Sequence, residues 1–252
     1  MLSINLSGHL AVVTGATGRL GRVMVRTMAA CGAGVVIHYR QNFQMAGQLM
    51  SEMQAAGLPG MIAQADVTVE RDVQRMKAEI EKTLGAPDII INNAVIQYGW
   101  ANVLEQPPPD YESQFRSCVL HNVLMAQAFV PAMLVKNWGR VIAINTECAM
   151  QNFPNQSAYV AGKRGMDGVL RVLAREVGQH QVTVNQVAPG WMLSKAASSQ
   201  NNDEAYIQQV PLKRRGTDHD VANLVAFLAS DLAGFISGQY ISVSGGNVMP
   251  AI

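Results

Sequence analysis

The amino-acid sequence predicts an α/β fold, a doubly wound parallel sheet of seven strands with helices on both faces. Short apolar runs alternate with longer helical patterns along the chain, as in βαβ units. With 252 residues, 49% of them hydrophobic and 15% charged, the chain can bury a large core. No linker rich in proline, glycine or serine interrupts it, so we expect one domain over residues 1–252.

Apolar periodicity places the individual elements. Runs bounded by turn residues predict the strands "HLAVVTG", "GVVIHY", "GMIAQAD", "DIIINNA", "RVIAINT", "VTVNQVA" and "QYISVSGG". Helical patterns lie between them at 20–31, 43–56, 70–84, 111–135, 158–177 and 218–228. We assign about 1–145 to a nucleotide-binding half and about 146–252 to a catalytic and substrate-loop half.

Two long irregular stretches, "QYGWANVLEQPPPD" and "PGWMLSKAASSQNNDEAYIQQVPLKRRG", each follow a predicted strand. Connections of this length favour functional loops or lids. In an open parallel sheet, ligands bind beyond the carboxyl ends of the strands. We therefore expect a functional site beside these two stretches.

Composition and charge argue against several classes of function. The net charge of +1 favours neither nucleic acid nor an anionic membrane surface as a partner. Cys31, Cys118 and Cys148 are widely spaced without a CxxC pair, so we predict neither a metal site nor a disulfide. The N-terminus lacks a signal-peptide pattern, and no apolar run reaches the roughly 18 residues that a membrane helix needs. We expect a cytoplasmic protein.

A glycine-rich turn, "TGATGRLGR", connects the first predicted strand to the first helix. Its glycines would let the backbone approach a pyrophosphate held at the helix N-terminus. The alternative interpretation is a plain strand–helix turn. The predicted cofactor contacts in this turn are Gly15, Thr17, Gly18, Arg19, Leu20 and Gly21.

The end of the second strand indicates which nucleotide is bound. In NAD-binding βαβ units this strand usually ends in an acid that accepts from the ribose hydroxyls. Here Tyr39 stands near that position and Arg40 follows it. An arginine offers bidentate hydrogen bonds to a 2′-phosphate, and Arg19 could supply a second guanidinium. NADP(H) is therefore favoured over NAD(H), unless Arg40 is only a solvated charge.

Tyr159 precedes Lys163 by four residues at the start of a strongly helical stretch. One helical turn separates the two residues, so their side chains share one face of the helix. Taken alone, the pair could be an ordinary feature of a solvated helix. Its meaning depends on whether other motifs build a site around it.

Several spaced motifs, in order, resemble the short-chain dehydrogenase/reductase family over nearly the whole chain. They are "TGATGRLG", "ADV" at 65–67, "NNA" at 92–94, Thr146 ahead of Tyr159-x3-Lys163, "VNQVAPG" at 184–190 and the C-terminal "PLKRRGTDHDVANLVAFLASDLAGFISGQYISVSGG". The resemblance implies a single-domain Rossmann fold. It extends most to 3-oxoacyl-carrier-protein reductases and similar carbonyl reductases, while "HYR" with Arg19 also resembles pteridine reductases.

The resemblance implies a role for each motif residue. Tyr159 would donate a proton to a substrate carbonyl during hydride transfer, and Thr146 stands where the family has serine. Lys163 would bind the nicotinamide ribose and, with the nicotinamide's charge, lower the phenol pKa from its usual value near 10. Asp66 would contact adenine and Asn92 would lie along the cofactor. The further implied cofactor contacts are Val67, Asn93, Ala94, Pro189, Gly190, Met192 and Ser194.

Four positions depart from the family's pattern. Counting places Cys118 where the family has a catalytic asparagine, and Asn122 follows one helical turn later. A thiol is a poor hydrogen-bonding partner, so the kink and water relay that asparagine supports would be altered. Glu147 either points away from the site or binds a substrate hydroxyl or amine. Val95 narrows the approach to the cofactor, and Ser244 replaces an aspartate remote from the chemistry.

Amides and aromatics in the loops after strands four to six predict a pocket for a partly polar substrate of modest size. The predicted substrate contacts are Gln97, Tyr98, Gln151 and Trp191, with Trp100, Asn152 and Met192 as further wall candidates. Trp100 and Trp191 could instead pack under the lid. An enzyme that acts on carrier-protein thioesters would need a basic patch near the mouth, for which the candidates are Lys136, Arg171 and Arg175.

We therefore expect an NADP(H)-dependent oxidoreductase that acts on a small-molecule ketone or secondary alcohol, most of all a 3-oxoacyl thioester. A sugar or polyol dehydrogenase and a pteridine reductase-like enzyme are the alternatives within this class. A catalytically weak NADP(H)-binding sensor is the alternative from another class, kept open by Cys118, Thr146 and Val95. The resemblance implies a homotetramer or homodimer.

Overall fold

Seven parallel strands form one sheet in the order β3-β2-β1-β4-β5-β6-β7. The computed structural model describes residues 3–193 and 200–249. The strands are β1 (Leu10–Val13), β2 (Gly34–Tyr39), β3 (Gly60–Gln64), β4 (Ile89–Asn92), β5 (Gly139–Ile144), β6 (Val182–Pro189) and β7 (Tyr240–Val243). Each overlaps one predicted run, which confirms the doubly wound parallel sheet of a Rossmann fold.

Helices connect successive strands. Their bounds are α1 (Arg19–Ala30), α2 (Phe43–Ala55), α3 (Glu70–Leu84), α4 (Pro108–Gln114), α5 (His121–Lys136), α6 (Cys148–Gln151), α7 (Ser157–Val177), α8 (Gln200–Gln209) and α9 (Asp218–Ala229). Helix α8 lies in a stretch predicted to be irregular, and that expectation is wrong. Its sequence shows no apolar stripe, since Tyr206 is its one buried position among those described, so the helical period could not be seen.

Side chains alternate between the two faces of the sheet, and each face carries its own hydrophobic core. Val13 and Ile91 belong to the core that packs against α1, α2 and α9. Their neighbours Val12 and Ile90 belong to the opposite core, with α3, α5 and α7. Burial on both faces explains why the strand sequences are almost continuously apolar rather than alternating.

A continuous helix, Pro108–Lys136, combines α4, a π-helical turn at Phe115–Leu120 and α5. By length and composition alone it could cross a membrane, which corrects the expectation that no stretch meets that test. However, 61% of its most apolar window is buried within the fold. Packing against the core accounts for its apolar residues, as in central helices of globular domains.

The strand order reverses at β1, which has β2 on one side and β4 on the other. The connections after β1 and β4 therefore leave the sheet toward opposite faces and open a crevice between them. Both long stretches singled out in the sequence follow strands on this carboxyl edge, β4 and β6. The fold thus brings the glycine-rich turn and the two loops to one side of the sheet.

We expect Phe129→Ala to lower the free energy of unfolding by about 3–5 kcal/mol, because large-to-small changes in a packed core leave a cavity. Phe129 is 1% exposed in α5. Val135→Ala in the same helix is the control: this side chain is 90% exposed, so its loss should cost less than about 0.5 kcal/mol. Urea titrations of both variants measure the difference, and equal effects would contradict the packing described.

Candidate active site

A groove of about 790 Å³ runs along the carboxyl edge of the sheet. The glycine-rich turn lies at one end and the predicted catalytic residues at the other. The predicted residues that line it are Gly15, Thr17, Gly18, Arg19, Leu20, Gly21, Arg40, Asp66, Val67, Asn93, Ala94, Thr146, Tyr159, Lys163, Pro189 and Gly190. Val95 lines it too, at the position where the family usually has glycine.

Two glycines of the turn are required by geometry. Gly15 has φ +62°, and a Cβ there would lie 3.0 Å from the Cα of Ala94. A Cβ on Gly21 would lie 2.3 Å from the carbonyl oxygen of Gly15, so only glycine lets α1 begin this close to β1. The turn therefore leaves its backbone open to the groove.

Hydrogen bonds hold this turn against the end of β4. The Thr14 hydroxyl accepts from the backbone N–H groups of Asn93 (2.9 Å) and Ala94 (3.1 Å). The Asn93 amide in turn donates to the carbonyls of Thr14 (2.9 Å) and Gly15 (3.1 Å). Asn93 thus supports the turn from below, a role that the resemblance did not specify.

His38 is a site residue that sequence reasoning missed. Its Nδ1 accepts from the Gly15 N–H at 2.9 Å, and its Nε2 lies 3.0 Å from the carbonyl oxygen of Ala65. This pairing requires a neutral imidazole with the proton on Nε2. Burial lowers the pKa of His38 to about 4, consistent with that form. In the sequence, the histidine that precedes Tyr39 in "HYR" is the signal that could have indicated this role.

Arg40 directly follows β2, where the sequence predicts the choice between NAD(H) and NADP(H). Its side chain is half exposed and lines the groove. Its guanidinium lies 3.7 Å from the carboxylate of Asp66. Burial opposes ionisation of Asp66, but hydrogen bonds from Thr68 and the charge of Arg40 lower its pKa overall. Asp66 is therefore an acceptor in the groove, and the half-exposed guanidinium of Arg40 lies beside it.

Arg19 does not form the second guanidinium at that end. It donates to Asp218 of α9 at 2.9 Å and to the backbone carbonyl of Leu193. These contacts draw the side chain toward the loop after β6, on the opposite side of the turn from Arg40. The prediction that Arg19 binds a 2′-phosphate is not supported by this geometry.

Two predicted cofactor contacts do not line the groove, and a third lies outside the described residues. Tyr39 is 7% exposed and packs into the core beside Phe43, because successive strand residues face opposite sides of the sheet. Met192 packs against the core and pairs with Gly216, and is not among the residues lining the groove. Ser194 lies outside the described residues.

Thr146, Tyr159 and Lys163 meet at the inner end of the groove. Thr146 follows β5, while the other two lie one turn apart near the start of α7. The Thr146 hydroxyl accepts from the N–H of Cys148 at 3.2 Å, and Thr146 and Tyr159 both line the groove and the smaller cavity beside it. The Lys163 ammonium lies 5.8 Å from the Tyr159 ring centre and donates to the Ile144 carbonyl at 2.6 Å. The one-turn spacing of Tyr159 and Lys163 thus places both residues in a polar site with Thr146.

The pKa values of this pair differ from expectation. Burial raises the pKa of Tyr159 above its ordinary value, whereas the sequence analysis predicted a lowered one. Burial also lowers the pKa of Lys163. The ammonium of Lys163 therefore does not by itself outweigh the desolvation of the phenol. In the protein alone, Tyr159 carries its proton throughout the neutral range.

Cys118 lies in the π-helical turn and is fully buried, with its thiol 4.0 Å from the side-chain oxygen of Gln114. Gln114 donates to the carbonyl of Ile96 at 2.9 Å and so ties the central helix to the loop after β4. Asn122 bonds to Asn92 and to the Cys118 carbonyl, both at 2.7 Å. A π-helical turn is therefore present without asparagine at this position.

A smaller cavity of about 180 Å³ adjoins the groove beside Tyr159. The described residues that line it are Ile96, Gln97, Tyr98, Trp100, Thr146, Cys148, Tyr159 and Trp191. Gln97, Tyr98, Trp100 and Trp191 were predicted here. Gln151 and Asn152, at the end of α6, are not among the lining residues, because the short helix carries them past it. Cys148 was missed; it follows Thr146 by two residues.

Glu147 points away from the cavity, as one of the two predicted alternatives had it. Its carboxylate accepts from the Tyr206 hydroxyl (2.9 Å) and from the Asn247 amide (3.1 Å). Burial raises the pKa of Glu147, and these hydrogen bonds oppose the shift. The turn that begins at Ser244 also lies against Gly190, closer to the site than its position in the sequence indicated.

Comparisons with known proteins agree with this geometry. The family model described as Enoyl-(Acyl carrier protein) reductase matches residues 15–247. The chain is 33% identical to 3-oxoacyl-(acyl-carrier-protein) reductase FabG of Staphylococcus epidermidis, with 95% of this chain and 98% of that protein covered. It is 31% identical to Nodulation protein G of Azospirillum brasilense, covering 96% and 98%. The chain therefore belongs to the short-chain dehydrogenase/reductase family of oxidoreductases.

Solved structures show the same fold over nearly the full length. A 7α-hydroxysteroid dehydrogenase complexed with NADH and 7-oxoglycochenodeoxycholic acid superposes with a TM-score of 0.92 at 28% identity, covering 98% of this chain and 97% of that one. A gluconate 5-dehydrogenase from Burkholderia cenocepacia, in complex with NADP and tartrate, gives 0.91 at 25% identity, covering 97% and 96%. These neighbours differ in both nucleotide and substrate.

We expect His38→Asn to flatten the acid dependence of stability, since it keeps an acceptor for the Gly15 N–H and removes the titrating ring. Because the pKa of His38 falls from 6.5 to about 4 on folding, the unfolded chain binds more protons between these values. The contribution of neutral His38 to the free energy of unfolding is complete above about pH 6.5. Acidification toward pH 4 removes up to about 3 kcal/mol of it.

Urea titrations from pH 4 to pH 7 measure this slope. His219→Asn, at an exposed position in α9, is the matched control and should keep the wild-type slope. His121 is also buried, and burial is the main cause that lowers its pKa to about 3, so it adds a slope of its own in all three proteins. The charge of His38 adds to that shift, so His38→Asn should also reduce the contribution of His121. If His38→Asn kept the wild-type slope, this would contradict a neutral His38 that bonds to Gly15 after β1 and to Ala65 after β3.

Proposed function

We propose that this protein is an NADP(H)-dependent oxidoreductase that interconverts a small ketone and its secondary alcohol. The observation that carries the proposal is the meeting of Thr146, Tyr159 and buried Lys163 where the long groove joins the smaller cavity. A proton donor thus lies between a space suited to a dinucleotide and a space suited to a small substrate. Residues from both halves of the chain, about 1–145 and 146–252, line each of these two spaces.

The groove fits a nicotinamide dinucleotide. Its volume lies within the usual range for ligand sites, and the cradle at Gly15 and Gly21 would be filled by any Cβ. The turn and α1 would hold the pyrophosphate, Asp66 and Val67 the adenosine, and Lys163 the nicotinamide ribose. When bound, the nicotinamide supplies or accepts the hydride.

Tyr159 and Thr146 would act on the substrate oxygen. Because burial keeps Tyr159 protonated, the phenol can hydrogen-bond to a carbonyl oxygen and give it a proton as negative charge develops there. Thr146, which lines the same cavity, would hold the same oxygen. The N–H of Tyr159 donates to Tyr98 at 2.8 Å, which orients the start of α7 toward the cavity.

The charge of the cavity bears on the substrate class. Within the described part of the chain, no Arg or Lys lines the 180 Å³ cavity. This favours an uncharged carbonyl over a sugar acid, although a neutral sugar or polyol stays an alternative. Four aromatic residues in the lining also keep open a pterin, for which Tyr98 or Trp100 would supply the stacking face.

A short 3-oxoacyl chain suits the size of the cavity, but two of the three candidates for a basic docking patch, Lys136 and Arg171, pair with carboxylates. Lys136 pairs with Asp88, which precedes β4 and so lies at the opposite, amino edge of the sheet. Arg171 pairs with Asp167 on its own helix at 2.8 Å. We therefore place small soluble thioesters and ketones ahead of thioesters delivered on a carrier protein.

We also propose that the protein acts in the cytoplasm as a homotetramer or homodimer. Cys31, Cys118 and Cys148 are all free thiols, as a reducing compartment requires. Phe115, an exposed apolar side chain on the central helix, would be covered by a second copy.

We expect Arg40→Ala to weaken NADPH binding by about 10- to 100-fold and to leave NADH binding within about twofold. The reason is the loss of charge-assisted hydrogen bonds to a 2′-phosphate, each worth about 1.5–3 kcal/mol. Arg19→Ala is the matched control, because Asp218 and Leu193 already engage that guanidinium. Fluorescence titration with both nucleotides measures the effect; a larger loss of NADPH preference in Arg19→Ala would reverse the assignment.

We expect Tyr159→Phe to reduce kcat by about 10²- to 10⁴-fold while NADPH binding stays within about threefold, because only the proton donor is removed. NADPH oxidation would be followed with an acetoacetyl thioester, a cyclic diketone, a ketose and a pterin, with NADH in parallel. Turnover that survives in Tyr159→Phe would exclude the proposed role. Tight NADPH binding without turnover of any substrate would favour the sensor alternative.

A further inference from the structure

Glu147 is a fully buried carboxyl group next to a catalytic residue, yet the proposed reaction does not use it. Burying a carboxylate is costly unless its oxygens receive strong hydrogen bonds. No lysine, arginine or histidine forms an ion pair with it within the described ranges. Two neutral donors, Tyr206 of α8 and Asn247 of the C-terminal turn, bind its two oxygens instead.

The Tyr206 hydroxyl joins this carboxylate to the loop after β6. It donates to the Oε1 atom of Glu147 at 2.9 Å and accepts from the backbone N–H of Trp191 at 2.9 Å. The Tyr206 ring also stacks on the Trp191 ring, with centroids 5.1 Å apart and planes 12° from parallel. One tyrosine thus holds both the backbone and the ring of the tryptophan, and Glu147 orients that tyrosine.

Gly190 shows how closely these groups are packed. A Cβ at this position would lie 2.5 Å from the Tyr206 hydroxyl and 3.0 Å from the Oε2 atom of Glu147. Only glycine therefore allows the chain to pass between the pair on its way from β6 to Trp191. A side chain at this position would displace the Tyr206 hydroxyl from its hydrogen bonds.

Of Glu147, Tyr206 and Trp191, it is Trp191 that lines the proposed substrate cavity. It lines the 180 Å³ cavity together with Tyr159 and Thr146, whereas Glu147 and Tyr206 are not among the lining residues. The cavity is small, equivalent to about six water molecules in liquid volume. A modest displacement of the indole would therefore change which substrates fit beside Tyr159.

We propose that Glu147 and Tyr206 are positioning residues that hold Trp191 as a wall of the substrate cavity and so set the size of carbonyl compound accepted. This inference rests on the proposed reductase function and adds a determinant of its selectivity. The carboxylate acts through the tyrosine, and the tyrosine through the tryptophan. Neither residue contacts the reacting atoms.

The test uses Tyr206→Phe, which removes the hydroxyl and keeps the stacked ring, in the full-length protein. For the acetoacetyl thioester we expect KM to rise about tenfold, with kcat within about threefold, since Tyr159 and Thr146 are untouched. The kcat/KM for the bulkier cyclic diketone should fall less than the kcat/KM for the thioester. The ratio of the two values should therefore shift at least about threefold in favour of the diketone. The Kd for NADPH should stay within about twofold.

Two further variants separate positioning from folding. Glu147→Gln keeps an oxygen that accepts from Tyr206 and should retain most of the wild-type selectivity, whereas Glu147→Leu should reproduce Tyr206→Phe. Tyr111→Phe also removes a tyrosine hydroxyl, one that bonds to Ser157 at 2.7 Å away from this cluster. That control should leave the substrate ratio unchanged.

A spectroscopic readout is independent of turnover. Protein labelled with 5-fluorotryptophan has three fluorine resonances, one for each of its three tryptophans. Tyr206→Phe should move or broaden the Trp191 resonance and leave those of Trp100 and Trp138 in place. An unchanged Trp191 resonance, or an unchanged KM and substrate ratio, would overturn the proposal.

The two proposals can fail separately. If the wild-type protein oxidised NADPH with none of the four substrates, the reductase function would fail. A shifted Trp191 resonance would then uphold the contact between Tyr206 and Trp191 but overturn its role in substrate selection. If the wild-type protein is active and Tyr206→Phe leaves the substrate ratio intact, only the positioning proposal fails.

Discussion

The groove depends on hydrogen bonds that hold the turn after β1 between its two neighbouring strands. The Thr14 hydroxyl and the Asn93 amide fasten the turn to β4, and the imidazole of His38 fastens it to β2 and to the end of β3. A glycine-rich turn has few conformational restraints of its own. These side chains supply the restraint, and so the backbone N–H groups at the start of α1 remain directed into the groove.

The same principle of buried polar groups holding irregular backbone extends to the catalytic end. Lys163 donates to the Ile144 carbonyl, and Asn145 donates to the Lys163 carbonyl and to Gln186. Buried polar networks of this kind are favourable only when most members find partners, and they then fix one geometry. The groove is thus bounded at both ends by polar groups whose orientation the surrounding strands determine.

Desolvation accounts for the direction of most pKa shifts at this edge of the sheet. Burial favours the neutral form of each group, which is why the pKa values of Tyr159 and Glu147 are raised and those of His38 and Lys163 are lowered. Asp66 is the exception, because Thr68 and Arg40 compensate it. Asp66 therefore stays ionised at the nucleotide end at neutral pH, while Tyr159 keeps its proton near the proposed substrate.

Much of this could be predicted from the sequence because the signals are local and periodic. Apolar runs identify strands buried on both faces, and the spacing of Tyr159 and Lys163 follows from one helical turn. The ordered motifs placed Thr146, Asp66 and Asn93 along the groove. Helix α8 was missed because its one buried side chain leaves no periodic pattern.

What only the tertiary structure decided are the partners of side chains that meet across the fold. Arg19 and Arg40 look equivalent in the sequence, but Asp218, 199 residues from Arg19, draws one of them away. Glu147 could have faced the substrate, but Tyr206 and Asn247 hold its carboxylate away from the cavity, and they lie 59 and 100 residues further along the chain. Local sequence determines which elements form and which chemistry they carry, because its forces act within a few residues. Long-range packing decides where each charge points, because the competing partners come from distant parts of the chain.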